Sequence, residues 1–321
     1  MDARKLRIVF MGTPGFAVPS LTALVEGGYD VAAVITSPDR PAGRGLKVQE
    51  SEVKSAARAL GIGRVLQPER LKDESFLADL RALRPDLGIV IAFRMLPEAV
   101  WAMPRLGTFN LHASLLPEYR GAAPINWAII NGETQTGVTT FMLNREIDRG
   151  AIVGQIRVPI DETDTAGSMY GKLMHLGSSL VIDTVELIAA GEIRAVEQPQ
   201  SEVGLHPAPK IFKNDCAIDW HATGKAVVDF IRGLSPYPAA WSRLCRMGTE
   251  VGTVKIFAAH FEPSPHGAAA GSIATDGRER LAVACADGWV SIDELQISGK
   301  RRMPVRDFLA GLRDASNHDF R

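Results

Sequence analysis

Alternation between apolar strand patterns and helical patterns in the first hundred residues most limits the possible fold. The run "KLRIVFMG" is continuously apolar and ends in glycine, and "AVPSLTALVEGGYD" then places apolar residues at helical spacing. The alternation continues through the strand patterns "VAAVITS", "RVLQP" and "LGIVIAF" and the helical patterns "ESEVKSAARALGI" and "DESFLADLRALRP". Strands that alternate with helices predict an α/β domain, in which helices cover both faces of a parallel sheet.

The same pattern indicates where a ligand would bind. In an open parallel sheet, ligands bind beyond the carboxyl ends of the strands. The segments that follow predicted strands are residues 12–16, 36–47, 93–96 and 110–121. We therefore expect the functional residues of the first domain in these four segments.

The pattern changes near the middle of the chain. The stretch "GEIRAVEQPQSEVGLHPAPK" is rich in proline and lacks a helical period, as expected of a linker. One helical pattern follows, "ATGKAVVDFIRGL", and then short alternating runs with a hairpin turn at Asp287-Gly288, which predict a small β-barrel. A final helix is expected in "MPVRDFLAGLRD". The expected domains are residues 1–190 and 210–321, joined by a linker at 191–209.

The totals are those of an ordinary soluble globular protein. The 321 residues are enough for two domains, with 46% hydrophobic and 23% charged residues. The chain has 36 basic and 37 acidic side chains, so a nucleic-acid partner has to be sought in local basic clusters. The first apolar run is broken at residues 12–14, too early for the core of a signal peptide. No membrane span is expected, and cytoplasm is the default location.

Metal and nicotinamide sites are not expected. Cys216, Cys245 and Cys285 lie far apart, and no C-x-x-C or H-E-x-x-H spacing occurs. The motif "MGTPGF" supplies Gly12 and Gly15 after the first strand, but a dinucleotide fingerprint needs a third glycine and an acid that ends the second strand. A tight strand-to-helix turn is the simpler interpretation.

Polar residues alternate with apolar ones in "FNLHASLLP", where a strand ends. Because strand side chains alternate, Asn110 and His112 lie on the same face and can point at one atom. These two residues alone are also compatible with a hydrogen-bonded buried histidine and a turn asparagine. Asp148, in "GVTTFMLNREIDRG", is by itself most simply a turn residue.

Read together, "NLHASLLPEYRGAAPI" and "GVTTFMLNREIDRG" closely resemble the 10-formyltetrahydrofolate-dependent formyltransferase superfamily. The segments "IVFMGTPGFAVPSL", "SPDRPAGRGLK", "PAPKI", "IDW" and "IRGLSPYPAAW" extend the resemblance, now to the methionyl-tRNA formyltransferases, over nearly the whole chain. The resemblance implies a Rossmann-like first domain that binds folate and contains the catalytic residues Asn110, His112 and Asp148. It also implies an OB-like second domain that helps to bind tRNA.

These residue types suit formyl transfer, which needs neither a metal nor a covalent nucleophile. An amine attacks the formyl carbon, an oxyanion forms, and the amine loses a proton. Asn110 and a protonated His112 can donate hydrogen bonds to the oxyanion. We expect Asp148 to contact His112, where it would favour the imidazolium and could accept or relay the amine proton through water.

The resemblance also implies a folate-binding segment at "SLLP" and in the neighbouring loop "AFRMLP". The expected folate-binding residues are Ser114, Leu115, Leu116, Pro117, Met95 and Leu96. The chain departs from the commoner "AYG" pattern at Phe93-Arg94-Met95, and Arg149 replaces a small or hydroxylated residue. We expect the pocket to survive, with altered contacts by individual side chains.

A basic loop in "SPDRPAGRGLK" indicates a nucleic-acid acceptor. It carries Arg40, Arg44 and Lys47 against the single acid Asp39, and by composition alone it could equally be a solvated surface loop. Its resemblance to the tRNA formyltransferases implies that Arg44 contacts the acceptor end. Further phosphate contacts are expected at Lys210, Lys300, Arg301 and Arg302.

Three functions remain open at this point. The leading hypothesis is a monomeric enzyme that formylates methionine on initiator tRNA, with 10-formyltetrahydrofolate as the formyl donor. A formyltransferase for an amino-sugar nucleotide is the alternative enzyme, since the same catalytic residue types serve that acceptor. An inactive RNA-binding module would keep the basic loop but would not need Asn110, His112 and Asp148 together.

Overall fold

The computed structural model describes residues 1–42, 47–201, 203–312 and 317–321. The chain divides into two compact units. The first comprises residues 1–121, 137–158 and 170–207, and the second comprises residues 122–136, 159–169 and 208–321. Two segments that precede residue 170 thus belong to the second unit. The domain boundary expected at residues 191–209 stays a prediction.

The first 190 residues alternate between strands and helices as expected. Short 3-10 helices span Ala3–Lys5 and Gly15–Ala17. In chain order the other elements are β1 (Ile8–Gly12), α1 (Val18–Glu26), β2 (Val31–Ile35), β3 (Arg40–Ala42), β4 (Lys47–Gln49), α2 (Glu52–Ala59), β5 (Val65–Leu66), α3 (Glu74–Ala82), β6 (Leu87–Ile91), α4 (Glu98–Trp101), β7 (Thr108–His112), β8 (Arg120–Gly121), α5 (Pro124–Ile130), β9 (Gln135–Met142), β10 (Ile152–Pro159) and α6 (Ala166–Ala190).

The main sheet of the first unit has the strand order β10-β9-β7-β6-β1-β2-β5. The pairs β1/β2, β1/β6, β2/β5 and β6/β7 are parallel, whereas β7 and β9 are antiparallel. The expected parallel α/β sheet is therefore confirmed, with an antiparallel extension. The chain runs outward from β1 in one direction and then returns to its other side at β6, so the carboxyl ends of β1 and β6 form the switch point where such sheets bind ligands.

Glycine at the end of β1 has a steric reason. A Cβ on Gly12 would lie 2.8 Å from the Cβ of Ala17, at the start of the first helical segment. The glycine therefore allows the chain to turn tightly from strand to helix. The next helix, α2, is capped by Ser51, whose side chain accepts a hydrogen bond from the backbone N–H of Lys54.

Apolar side chains of several strands and helices form the core on one side of this sheet. Val9, Met11 and Ile35 from the strands pack with Phe76 and Leu80 of α3. All five are at most 6% exposed. Burial of this kind contributes about 25 cal/mol per Å² of apolar surface and accounts for the continuous apolar character of the predicted strands.

The second unit contains the predicted small barrel. A 3-10 helix spans Lys213–Cys216. The remaining elements are β11 (Pro207–Ala208), α7 (Gly224–Leu234), β12 (Ala240–Arg246), β13 (Thr249–Glu262), β14 (Ile273–Thr275), β15 (Leu281–Ala284), β16 (Trp289–Ile297), β17 (Met303–Pro304), α8 (Val305–Leu309) and β18 (His318–Phe320). The strand order is β14-β15-β16-β13-β12-β18, and β17 pairs with β16.

This antiparallel sheet nearly closes on itself. The first and last strands approach at an isolated bridge between Ser272 and Asp319, where the N–H of Phe320 donates to the carbonyl of Gly271 at 2.8 Å. The expected turn at Asp287-Gly288 joins β15 to β16. The predicted OB-like barrel domain is thus confirmed.

Helix α6 is long and apolar enough to cross a membrane by length and composition alone, and among the described residues it is the one helix of that kind. Its most apolar window has a mean hydropathy of 1.4, and 44% of that window is buried inside the protein. Core helices of soluble proteins have the same properties. The expected absence of a membrane span stays a prediction.

Candidate functional site

Asn110 lies on β7, whose partners are β6 and β9. In register it faces Val90 of β6 and Phe141 of β9. It is partly exposed, whereas Phe109 and Leu111 on either side are buried. Within the described part of the chain its side-chain amide forms no hydrogen bond. Both N–H groups of this amide are therefore available to a ligand.

His112 lies two residues further along the same strand and is 7% exposed. Its Nε2 atom is 2.9 Å from the carbonyl oxygen of Tyr119. Since a carbonyl oxygen can only accept, Nε2 carries a proton. The ring is thereby oriented, and Nδ1 is the nitrogen that remains for a substrate.

Asp148 lies in the turn between β9 and β10 and has a φ of 54°, in the left-handed region. Its Oδ2 accepts a hydrogen bond of 3.1 Å from the backbone N–H of Gly121. Its Oδ1 has no hydrogen-bond partner among the described residues. One carboxylate oxygen is thus held by the backbone, and the other remains free to accept a proton.

The sequence analysis expected a direct contact between Asp148 and His112. The structure describes both residues, and no hydrogen bond or ion pair joins their side chains. Instead, both contact the same short segment, residues 119–121. The imidazole binds the carbonyl of Tyr119 and the carboxylate binds the N–H of Gly121, so this segment connects the two side chains.

The 119–121 segment is itself held in place. Tyr119 has a φ of 59°, and its N–H donates to the carbonyl of His206 at 2.7 Å. The rings of Tyr119 and His206 stack, with centroids 5.7 Å apart. The guanidinium of Arg120 donates to the side-chain oxygen of Gln198, at 2.7 Å from Nη2. Sequence reasoning placed Gln198 in a linker, and no local pattern marks its contact with this segment.

The "SLLP" segment has two buried and two partly exposed side chains. Ser114 is fully buried, and its hydroxyl donates to the carbonyl of Glu118 at 2.6 Å. Leu116 is also buried, whereas Leu115 and Pro117 are partly exposed. Ser114 and Leu116 therefore shape the segment from the interior, and Leu115 and Pro117 keep part of their surface accessible.

The loop after β6 contains the expected folate residues Met95 and Leu96. Met95 is 73% exposed, whereas Leu96 packs against the core. The unusual Arg94 turns away from solvent: its guanidinium donates to the carbonyl of Glu69 at 2.9 Å and also to the carbonyl of Pro68. This departure from the family pattern thus attaches the loop to the segment that follows β5.

Arg149, the other departure from the family pattern, also forms a hydrogen bond within the protein. Its Nη1 donates to the carbonyl of Gln200 at 3.1 Å. The arginine therefore connects the turn that carries Asp148 to the segment around residue 200.

The described ends of the predicted basic loop pair as the antiparallel strands β3 and β4. Arg40 pairs in register with Gln49, and its guanidinium lies 3.7 Å from the carboxylate of Glu69 on the surface. Arg44 lies outside the described residues, and Lys47 is described by its backbone. The acid of this loop, Asp39, is bound by Lys54 at 2.5 Å, and this contact and that of Gln67 lower the pKa of its carboxyl. Asp39 is therefore already neutralised within the protein.

The basic residues expected in the second unit differ in their surroundings. Lys300 and Arg301 are exposed, and among described residues their side chains have no charged partner. Arg302 is paired with Glu294 at 2.5 Å and lies over the ring of Phe257 at 4.3 Å. Separately, Lys210 lies 5.4 Å from the centroid of the Phe212 ring.

The described residues contain no cluster of three or more histidine, cysteine, aspartate or glutamate side chains that could hold a metal ion. Cys216, Cys245 and Cys285 are free and buried.

Several solved structures share this fold. HypX from Aquifex aeolicus, in complex with tetrahydrofolic acid, has a TM-score of 0.63 at 21% identity, covering 95% of this chain and 47% of the HypX chain. This chain therefore spans about half the length of HypX. An N-formyltransferase from Helicobacter canadensis, in complex with folinic acid and dTDP-3-aminofucose, has a TM-score of 0.64 at 18% identity, covering 89% of this chain and 98% of the other. At these identities the likeness concerns the fold alone.

Sequence comparison is more specific. The formyl transferase family matches residues 6–185, and the formyl transferase C-terminal domain matches residues 210–313. A methionyl-tRNA formyltransferase from Bacteroides fragilis is 56% identical over 313 residues, which are 97% of this chain and 96% of the relative. Identity of this level over both matched regions shows that the chain belongs to the methionyl-tRNA formyltransferase family.

Proposed function

We propose that this protein transfers the formyl group of 10-formyltetrahydrofolate to the α-amino group of methionine on initiator methionyl-tRNA. The products are N-formylmethionyl-tRNA and tetrahydrofolate. The proposal is carried by the 56% identity to the Bacteroides fragilis methionyl-tRNA formyltransferase over 97% of the chain. In the reaction, the amine nitrogen forms a bond to the formyl carbon, the bond from that carbon to N10 of the folate breaks, and a proton passes from the amine to the leaving nitrogen.

Asn110 is the proposed donor to the oxyanion. Its amide lies at the carboxyl end of a sheet strand and has no hydrogen-bond partner among the described residues. Such an amide can donate to the oxygen of the tetrahedral intermediate without first breaking a hydrogen bond within the described part of the protein. Donors of this type typically account for about 10²–10³-fold in turnover.

His112 is the proposed second donor. The contact between Nε2 and the carbonyl of Tyr119 leaves Nδ1 for the substrate. In the neutral ring Nδ1 can only accept, so donation to the oxyanion requires the imidazolium.

Asp148 is the proposed acceptor of the amine proton, directly or through water. The N–H of Gly121 holds Oδ2 in place, and Oδ1 is left without a protein partner in the described structure. Asp148 can therefore offer Oδ1 to the proton that leaves the amine.

For the folate, we propose a mostly apolar slot with a few fixed polar groups, as flat ring systems require. The partly exposed Leu115 and Pro117 and the exposed Met95 are the side chains suited to contact it. The buried Ser114 and Leu116 and the partly buried Leu96 would act by shaping the two segments.

For the tRNA, we propose that basic side chains contact phosphates. The basic loop with Arg40, Arg44 and Lys47 would contact the acceptor end. Lys210, Lys300, Arg301 and Arg302 would contact other phosphates. The enzyme is proposed to act as a cytoplasmic monomer with domains at residues 1–190 and 210–321.

The experiment that tests the proposed function compares acceptors. Purified protein is supplied with 10-formyltetrahydrofolate and with initiator methionyl-tRNA, a dTDP-amino sugar, or no acceptor. Of the three conditions, we expect rapid formation of tetrahydrofolate only when initiator methionyl-tRNA is the acceptor. Faster turnover with the sugar would favour the alternative enzyme, and the absence of acceptor-dependent turnover would favour a binding module.

Two variants separate acceptor binding from chemistry. Arg44→Ala should raise the KM for the tRNA, and Asn110→Ala should lower kcat. Arg70→Ala is a matched control for Arg44→Ala, since Arg70 is exposed and its side chain has no partner among the described residues. If Arg44→Ala and Arg70→Ala behave alike, the proposed contact of Arg44 is wrong.

A further inference from the structure

We infer that Gln198 is a positioning residue for formyl transfer, because its side-chain amide crosslinks the turn that carries Asp148 to the 119–121 segment that holds His112. This inference rests on the proposed function, since it assigns Asp148 and His112 to the chemistry. It adds a residue from the segment that sequence patterns identify as a linker.

The amide of Gln198 uses its hydrogen-bonding groups at both ends. Its Nε2 donates to the carbonyls of Asp148 and Gly150 at 3.0 and 2.8 Å. Its Oε1 accepts from Nε and Nη2 of Arg120 at 3.3 and 2.7 Å. With two acceptors on one side and a guanidinium on the other, a reversed amide would lose all four contacts, so one orientation is strongly preferred. The side chain is 7% exposed, and these bonds are therefore shielded from water.

The turn that Gln198 contacts has a backbone conformation that few residues can adopt. Asp148 has a φ of 54°, which is uncommon for a residue with a side chain. Two residues on, a Cβ on Gly150 would lie 1.6 Å from the carbonyl oxygen of Met142, so only glycine fits there. Such a backbone persists where its surroundings hold it. Gln198 contributes by binding the carbonyls of both Asp148 and Gly150.

The other end of Gln198 reaches the segment on which both proposed catalytic groups depend. Arg120 lies between Tyr119, whose carbonyl binds His112, and Gly121, whose N–H binds the carboxylate of Asp148. Asp148 is therefore attached to this segment twice, once through its side chain and once through its carbonyl and Gln198. Two attachments fix the orientation of the carboxylate as well as its position.

The residues before and after Gln198 in the sequence are also attached to neighbouring parts of the protein. Val196 exchanges two backbone hydrogen bonds with Ile152 of β10, at 2.8 and 2.9 Å. Beyond Gln198, the carbonyl of Gln200 accepts from Arg149. The segment from 196 to 200 is therefore attached to the strand and turn around Asp148, and the amide between these attachments is placed with little freedom.

Three variants test the inference. Gln198→Ala removes the crosslink. Gln198→Glu keeps the length and the contact with Arg120 but sets a carboxylate oxygen against the two carbonyls. Gln200→Ala is the matched control, since its side chain is exposed and has no partner in the described structure. We expect Gln198→Ala and Gln198→Glu each to lower kcat about 10- to 100-fold, with KM values for both substrates changed less than about threefold. Gln200→Ala should match wild type.

A positioning role also predicts non-additivity. In an Asp148→Asn background, loss of Gln198 should lower kcat by a smaller factor than in wild type, because the carboxylate that it positions is gone and only its effect on His112 remains. A loss that multiplies fully with that of Asp148→Asn, or a wild-type kcat in either Gln198 variant, would overturn the inference. Full activity in Gln198→Glu would show that its volume alone matters.

A measurement without turnover separates this inference from the proposed function. The imidazole ¹⁵N signals of His112 should shift in Gln198→Ala and not in Gln200→Ala, because the carbonyl that holds the ring is adjacent to Arg120. Unchanged signals in Gln198→Ala would contradict the inference even in an active enzyme. If wild type fails to formylate methionyl-tRNA while the signals shift as expected, the proposed function fails and the positioning of His112 by Gln198 stands.

Discussion

The Nε2 of His112 and the carbonyl oxygen of Tyr119 lie 2.9 Å apart, and this contact determines which ring nitrogen can serve a substrate. Two residues after Tyr119, the N–H of Gly121 holds the carboxylate of Asp148. The histidine and the aspartate are therefore coordinated through one short backbone segment rather than through an ion pair. Their separation depends on the conformation of that segment.

Asp148→Asn tests the charge on this residue. An asparagine can still accept the hydrogen bond from Gly121, and it tolerates the left-handed backbone as well as aspartate does. We expect kcat to fall about 10²-fold or more, as for loss of a general base, with the melting temperature close to that of wild type. Steady-state kinetics and thermal unfolding measure both. An equal loss of kcat and stability would indicate a structural role.

Two glycine substitutions should act in opposite directions. In Gly150→Ala the new Cβ would lie 1.6 Å from the carbonyl oxygen of Met142, so the turn at Asp148 must move, at a cost of roughly 1–3 kcal/mol or more. In Gly171→Ala, within α6, the Cβ meets no atom within 4 Å, and alanine should stabilise the helix by about 0.5–1 kcal/mol. Urea unfolding gives both values, and kcat should fall only in Gly150→Ala.

The pair of Asp39 and Lys54 predicts a pH-dependent stability. The Lys54 ammonium, assisted by Gln67, lowers the pKa of the Asp39 carboxyl below its ordinary 3.8. A lowered pKa in the folded state stabilises the protein above 3.8, and this contribution is lost as the pH falls toward the lowered value. The difference in unfolding free energy between wild type and Lys54→Met should therefore be constant from about pH 7 to 5 and shrink below about pH 4. A difference that grows below pH 4 would contradict this assignment.

The basic residues near β17 should contribute unequally to tRNA binding. Lys300 and Arg301 are free to contact phosphates, whereas Arg302 is paired with Glu294. Removing Lys300 or Arg301 should reduce the slope of log Kd against log salt by about one each. Arg302→Ala should change that slope less and lower the stability more, because its guanidinium also covers Phe257. Equal slopes for all three variants would show that the ion pair opens on binding.

Much of the fold could be predicted because its signals are local. The apolar run that becomes β1 and the helical spacing that becomes α1 follow from contacts each residue makes with the sheet. The turn at Asp287-Gly288 was readable for the same reason. Alternation along β7 also placed Asn110 and His112 on one face before any tertiary contact was known.

What could not be predicted depends on residues that are distant in sequence. No residue near Gln198 in the sequence indicates that it contacts Asp148 and Arg120. A glutamine in a proline-rich stretch looks the same whether it lies in a linker or packs against a site. The connection between His112 and Asp148 could not be predicted either, since it depends on the backbone conformation of residues 119–121 rather than on side-chain types. The pairing of β3 with β4 in the basic loop could not be predicted either, because the sequence there shows no clear alternation of apolar and polar residues.

The most direct test of the central claim is single-turnover formylation of methionyl-tRNA by Asn110→Asp at saturating substrate. The substitution keeps the size of the side chain but replaces its N–H donors with a negative oxygen at the proposed oxyanion site. The account predicts a rate constant lower by about 10²-fold or more, with an unchanged Kd for the folate. A rate within about threefold of wild type would contradict the assignment of the free amide to the formyl oxygen.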